Sequence, residues 1–226
     1  MKRFIVYIMA FLIVMSPYKA RAINDGFDIV AESNKEDITL YAKRMNGLYY
    51  SFKLDFKGTV YSRPFWISVA NNPAFAPQVI YEDINQDKKK ELIVILNKGY
   101  GTGVSLEDAY VFETDSNRFS EVLVDNPQAI ILKNAKTSLT PIEAQITIGE
   151  SQNVIDISPV GFKPENIFND ISFGSITTYE VVNNQLIVKL AAQVSPAHFI
   201  GEVIITYEYR DKMYQAKSIE FKEYHF

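Results

Sequence analysis

The sequence predicts a mainly β protein, either an antiparallel β-sandwich-like fold or two small β-rich lobes with one or two short helices. Two observations support this prediction. Fourteen tyrosines and fifteen phenylalanines, together with many valines and isoleucines, suit the half-buried surface of a sheet. Apolar and polar residues also alternate along several segments of the chain, which is the side-chain period of a strand.

The clearest local element is a hairpin around Asn46-Gly47. Alternating residues run from 38 to 43 and from 48 to 56 on either side of this pair. An Asn-Gly pair favours a two-residue primed turn, because both central positions need a positive φ.

Other segments predict further strands and a helix. Asp125 or Asn126 can cap a helix, Pro127 suits its first position, and the helix would reach Lys133. A short helical turn is expected at 164–168. Further strands are predicted at 59–62, 66–69, 78–81, 92–96, 109–113, 142–148, 154–157, 176–181, 186–193, 203–209 and 214–221.

The domain organisation has two interpretations. Residues 133–141 form a polar stretch that could separate an N-terminal lobe, 23–135, from a C-terminal β-meander lobe, 136–226. The same chain could instead form one β-rich unit. No repeat with a period of 20 to 50 residues is visible, which argues against a propeller or a solenoid.

Residues 1–22 have the pattern of an export signal. Lys2 and Arg3 precede an apolar run over 4–15, and Ala20-Arg21-Ala22 has the small-x-small form of a cleavage site. The apolar run would span about 18 Å as a helix, less than the ~30 Å hydrocarbon core of a bilayer. We therefore expect cleavage near Ala22, no membrane span afterwards, and a location outside the cell or in the cell envelope.

Charge and cysteine content exclude several classes of function. The formal net charge is −4, and removal of the basic signal would make the chain more acidic. Such a balance argues against a nucleic-acid partner, which requires clustered lysine and arginine. The chain has no cysteine, which excludes disulfides and thiolate metal sites.

The segment 83–91 is the candidate metal site. Asp83, Asn85 and Asp87 place side-chain oxygens at alternate positions, Lys89 would add its backbone carbonyl, and Glu91 would close the shell. This is the spacing with which a short loop wraps calcium.

The alternative interpretation of this segment is a polar turn between strands, with residues 85–88 at its tip. Lys88 occupies the position where calcium loops usually have glycine, because the chain turns sharply there. Lys88, Lys89 and Lys90 also place three positive charges beside the expected cation.

The pattern Asp-x-Asn-x-Asp-x-x-x-Glu-Leu-Ile-Val at 83–94 resembles the calcium-loop-plus-strand motif of FG-GAP and VCBS repeats. The wider segments 81–112 and 171–201 resemble a family of uncharacterised secreted proteins of spore-forming Gram-positive bacteria. The resemblance covers roughly residues 75–221. It implies a secreted protein with one such motif, and it implies no activity.

Catalytic patterns are sparse. Residues 98–103 form a glycine-rich connection, which predicts a flexible loop, since a phosphate cradle would need a Gly-Lys-Ser/Thr ending. His198 and His225 are the two histidines, and we expect His198 to be a surface residue in a loop. Acids near the glycine-rich connection could act as paired carboxylates in glycoside hydrolysis, namely Glu82, Glu107, Asp108 and Glu113.

The expected function is that of a secreted, non-catalytic binding or structural module of the cell envelope or extracellular space, stabilised by calcium. Its partner would be a protein or an envelope polysaccharide. Tyr49 and Tyr100 are the aromatic residues expected to be exposed, whereas Trp66 is expected in the core. The alternatives are an extracellular hydrolase of cell-wall or carbohydrate polymers that acts through paired carboxylates, and an inhibitor or immunity-type partner of another exported protein.

Overall fold

The structure is a computed structural model that describes residues 26–115 and 118–224. The predicted export signal and His225 lie outside these residues. Within the described part, no helix is both long and apolar enough to cross a membrane.

The first sheet is formed by the N-terminal strands. The strands β1 to β5 span Asp28–Ser33, Ile38–Met45, Leu48–Phe56, Thr59–Arg63 and Ser68–Val69. Their antiparallel order is β1-β2-β3-β4, and β5 pairs with the start of β3.

The second sheet is the largest and combines two separate stretches of the chain. The strands β6 to β9 span Gln78–Glu82, Glu91–Gly101, Val104–Asp115 and Arg118–Val124. The strands β13 to β16 span Ser172–Val182, Gln185–Ser195, His198–Arg210 and Met213–Glu223.

This eight-stranded sheet curls back on itself. Its order is β13-β14-β15-β16-β9-β8-β7-β6, and β13 also pairs with β8. The β16–β9 and β13–β8 pairings are parallel and short. They join the C-terminal meander to the central strands, so the predicted lobes on either side of residue 135 share one sheet.

A helix and a small third sheet lie between these two stretches. Helix α1 spans Pro127–Asn134 and is capped by Asn126, whose Oδ1 accepts a hydrogen bond from the amide of Ala129 at 3.0 Å. The third sheet contains β10, β11 and β12, which span Ala135–Leu139, Glu143–Ile148 and Ser151–Asp156.

Strand β7 is buried on both faces. Leu92, Val94 and Leu96 pack with the inner face of the first sheet. Ile93 and Ile95 pack with the core enclosed by the eight-stranded sheet. A third core lies between the small sheet and the ends of β14 and β15. The central strand therefore connects the two larger cores.

The predicted mainly β, sandwich-like fold is confirmed. The hairpin turn has positive φ at Asn46 and Gly47, 52° and 78°, and α1 begins where its cap predicted. Strands β1, β9 and β10 were not predicted. Each has a weak apolar alternation, and β10 occupies part of the polar stretch that suggested a boundary between lobes.

Candidate functional site

The 83–91 loop connects β6 to β7 and is anchored at both ends. Ile84 is 4% exposed and packs into the core of the eight-stranded sheet. The backbone carbonyl of Asp83 accepts a hydrogen bond from Nδ2 of Asn184, at 3.0 Å. The β13–β14 turn thus holds one side of the loop.

The polar side chains of the loop accept hydrogen bonds from its own backbone. Asp83 accepts from the amides of Asp87, at 3.1 Å, and Lys88, at 2.9 Å. Oδ1 of Asn85 accepts from Asp87 N at 2.9 Å, and Oδ1 of Asp87 accepts from Lys89 N at 2.8 Å. These bonds draw the predicted ligand residues into one compact turn.

Lys88 adopts the left-handed conformation that the missing glycine would have provided. Its φ is 74°, and that of Gln86 is 64°. A non-glycine residue in this region costs roughly 1–2 kcal/mol. The sharp turn expected at Lys88 is present, and the two hydrogen-bonded carboxylate oxygens of Asp83 hold it.

Glu91 closes the loop from inside. It is 2% exposed, and its carboxylate accepts from the amides of Ile84 and Asn85, at 3.0 and 3.2 Å, and from Nδ2 of Asn85, at 3.1 Å. Burial raises the pKa of Glu91 from 4.5 to about 7, and the charges of Asp87 and Asp83 add to the increase. The amide bonds act in the opposite direction, because they favour the charged form.

Two of the three lysines are directed to carboxylates outside the loop. Nζ of Lys89 lies 2.8 Å from Oδ2 of Asp115, and Nζ of Lys90 lies 3.0 Å from Oε1 of Glu36. These ion pairs hold two of the positive charges at the periphery of the loop.

Calcium remains a prediction for this loop. Asp83, Asn85, Asp87 and Glu91 lie together, but their side-chain oxygens accept hydrogen bonds from amide groups. Lys89, whose carbonyl was the predicted ligand, contributes its amide N–H to this turn. Across 26–115 and 118–224, no three acidic or histidine side chains are arranged as a metal-binding group. A cation would therefore require side chains to turn away from their present donors.

The acids of the hydrolase alternative fall at two places, Glu107 and Asp108 at one cavity and Glu82 and Glu113 on either side of Glu91. Glu107 accepts from the amide of Tyr179 at 2.7 Å, and burial raises its pKa. Asp108 follows it on β8 and pairs with Lys98 at 2.7 Å. Both acids line a cavity of about 300 Å³. Glu113 is six residues along the strand from Glu107, about 20 Å away.

Glu82, Glu91 and Glu113 do form one row, because they are register partners across β6, β7 and β8. The hollow beside Glu91 and Glu113 has a volume of about 150 Å³. Ligand pockets usually have about 300–1,000 Å³, so this hollow is too small for a sugar chain.

His198 contacts a serine that the sequence did not indicate. It is the first residue of β15 rather than part of a loop, and its Nδ1 lies 3.2 Å from Oγ of Ser195. The two residues are register partners across the Pro196-Ala197 turn. Ser195 is 4% exposed, and the contact closes the hairpin. Both residues also line a groove of about 490 Å³.

The glycine-rich connection and the aromatic residues also differ in part from expectation. Residues 98–103 are not a loop, because β7 continues to Gly101 and a turn at Thr102-Gly103 leads into β8. Tyr100 is exposed as predicted and stacks on Phe75, with 4.7 Å between ring centroids. Tyr49 is only partly exposed and packs on the core between the first sheet and β7, and Trp66 is buried in that core.

A groove that the sequence did not predict lies beside α1. It has a volume of about 680 Å³ and runs between α1 and one edge of β16, which we call the α1–β16 groove. Its defining residues are Ala129, Ile130 and Lys133 on α1, and Gln215, Lys217 and Ile219 on β16.

The groove exists because β9 ends early. The parallel pairing of β9 with β16 stops at Val124 and Tyr214. The amide of Asp125 then donates to the carbonyl of Tyr214 at 2.9 Å, and the chain turns into α1. From Gln215 onward, this edge of β16 has no strand partner among the described residues.

Comparisons with known proteins identify no family. No protein-family model and no curated protein matches the chain. Among solved structures, a chain titled "Structure of a Xanthomonas Type IV Secretion System related protein" aligns with 85% of this chain and 98% of its own length, with 14% identity and a TM-score of 0.26. Such a TM-score supports no inference about fold or function.

The raised pKa of Glu91 predicts a pH dependence of folding. Between pH 4.5 and about 7 the folded state holds this proton more tightly than the unfolded state, so stability should fall as the pH rises through that window. The loss attributable to Glu91 should be on the order of 3 kcal/mol. Urea unfolding in excess chelator at pH 5 and pH 8 measures it, and Glu91→Gln should remove that part of the decrease. Equal pH dependence in both proteins would contradict this assignment.

Calcium binding predicts a second outcome. A ligand of the native state raises stability, so the melting temperature should be higher in millimolar calcium than in chelator. Asp83→Asn keeps an acceptor oxygen for the turn but removes the charge, and should reduce the shift. Asp211→Asn, in the exposed β15–β16 turn, is the control and should keep it. If the wild-type melting curves in calcium and in chelator coincide, the calcium prediction is wrong and the loop is a polar turn without a bound ion.

Proposed function

We propose that the protein is a secreted, non-catalytic binding module of the cell envelope or extracellular space, and that it binds its partner in the α1–β16 groove. The observation that supports this most directly is the groove itself. Its volume of about 680 Å³ falls within the usual range for binding sites.

The lining of the groove suits binding better than hydrolysis. Asp125 is the single carboxylate among the lining residues, whereas glycoside hydrolysis requires a pair flanking the scissile bond. Ile130, Ile148 and Ile219 give the groove an apolar part, and Lys133 and Lys217 give it charge. The lining is mainly polar, which suits a polar or charged partner.

The hydrolase alternative is favoured by two carboxyl groups with raised pKa values, Glu107 and Glu91. Glu107 is held by the amide of Tyr179, and its neighbour Asp108 is paired with Lys98. Glu91 and Glu113 are adjacent in register, and the pKa of Glu91 is raised to about 7, as expected of a general acid. Glu91 is nevertheless held by three hydrogen bonds from the loop, beside a hollow of about 150 Å³. The binding proposal is therefore the better supported of the two.

Two variants on the same helix test the proposal. Ala129 lines the groove and Leu132 is 84% exposed outside it. Wild-type protein without its signal should cosediment with envelope material from a spore-forming Gram-positive bacterium. Ala129→Trp should fill the groove and weaken this binding by about tenfold or more, while Leu132→Trp should bind like wild type.

The same assay identifies the class of partner. Protease treatment of the envelope material should abolish binding if the partner is a protein, and digestion of the polysaccharide should abolish it if the partner is a glycan. Wild-type protein that does not cosediment, or equal binding by the two tryptophan variants, would contradict the proposed groove.

A further inference from the structure

We infer that the α1–β16 groove binds an extended, acidic segment of a polypeptide, which pairs with the open edge of β16 as an additional strand. This inference rests on the proposed function and specifies the partner of the same site. It follows from the backbone of β16, the bulge at Lys217 and the charges beside the groove.

The backbone of β16 offers unused pairing capacity. On one side the strand pairs with β15 along its length, from Met213 to Glu223. On the other side its pairing with β9 ends at Tyr214. An open edge presents unpaired N–H and C=O groups in a row, and such a row is a template for another chain.

The dimensions of the groove match a short strand. Residues 215–219 of β16 line it continuously, and five strand residues extend about 16 Å. Helix α1 forms the opposite wall through Ala129 and Lys133, and Ile148 and Gly149 at the β11–β12 turn also line the groove. A peptide lying there would pair with β16 on one side and contact the surface of α1 on the other. This mode of recognition is β-augmentation, in which an extended peptide adds a strand to a sheet edge.

A bulge places a lysine at the open edge. Thr206 pairs with Ser218 and Tyr207 pairs with Ala216, so Lys217 is the additional residue on β16. A bulge redirects the side chain that it contains. Lys217 is exposed and lines the groove.

The charges beside the groove favour an acidic occupant. Lys133 and Lys217 face it from opposite walls, and neither forms an ion pair with a described carboxylate. Arg210 also lines the groove, although its Nη1 is 3.2 Å from Oε1 of Glu208. Asp125 is the one acidic residue among those that line the groove. Complementary charge of this kind sets specificity and steers association.

Lysines at a strand edge have a second known role, because they prevent edge-to-edge aggregation. The two roles predict opposite effects when the charge is removed. If Lys217 only protects the edge, its removal should increase self-association. If it recognises an acidic segment, its removal should weaken binding of that segment.

The experiment uses designed octapeptides as probes and measures fluorescence anisotropy with the protein lacking its signal. One peptide alternates valine with glutamate, a second valine with glutamine, and a third valine with lysine. The acidic peptide should bind about tenfold more tightly than the glutamine peptide at low salt. This advantage should diminish in 0.5 M salt, and the lysine peptide should bind most weakly.

Protein variants and backbone-modified peptides separate charge from strand pairing. The double variant Lys133→Gln/Lys217→Gln should lose the preference for glutamate, whereas Lys222→Gln, on β16 but outside the groove, should keep it. N-methylation of the peptide backbone at alternate residues removes the N–H donors from one edge of the extended peptide. Two acidic peptides are methylated, each on a different edge. The peptide that loses the donors facing β16 should no longer bind.

The possible results distinguish the inference from the proposed function. Equal binding of the acidic and glutamine peptides would overturn the charge preference, and unchanged binding of both methylated peptides would overturn strand pairing. If no peptide binds while Ala129→Trp still removes envelope binding, the partner is not an extended acidic segment, although the groove remains the binding site. Self-association of the double variant, without lost peptide binding, would assign the lysines to edge protection.

Discussion

The burial of β7 on both faces is the constraint on which the rest of the structure depends. Successive side chains of a strand point to opposite faces, so the run 92–96 supplies one core with Leu92, Val94 and Leu96 and another with Ile93 and Ile95. The 83–91 loop fixes where this run begins. Glu91, the first residue of β7, is buried and holds the preceding turn by three hydrogen bonds.

The candidate binding surface is a consequence of how the large sheet closes. The curled sheet requires β9 to pair in parallel with β16, but β9 supplies only two residues to that pairing. Asn126 and Pro127 then start α1, which carries the chain away from the sheet. Beyond Tyr214, no strand in the described part of the chain pairs with this edge of β16. The groove therefore arises from a mismatch between a long strand and a short neighbour.

The sequence predicted what depends on local patterns. Asn46-Gly47, the cap at Asn126 and the apolar run after Glu91 each act over a few residues, so the hairpin, the helix and the buried strand were found. The parallel pairings of β16 with β9 and of β13 with β8 join residues far apart in sequence, and no local pattern indicates them. The loop could be located from its spacing, but the hydrogen bonds that occupy its oxygens could not. The groove was missed because it depends entirely on non-local pairing.

The most direct test of the structure is whether β7 joins both cores into one cooperative unit. Trp66 is the single tryptophan and lies in the first core, so its fluorescence reports on that core, while far-UV circular dichroism reports on all strands. Ile93→Ala, on the opposite face, should destabilise the protein by about 2–5 kcal/mol. It should shift the urea midpoints of both signals equally. A shift in circular dichroism with an unchanged Trp66 transition would show that the two cores unfold independently, which would contradict the central role of β7.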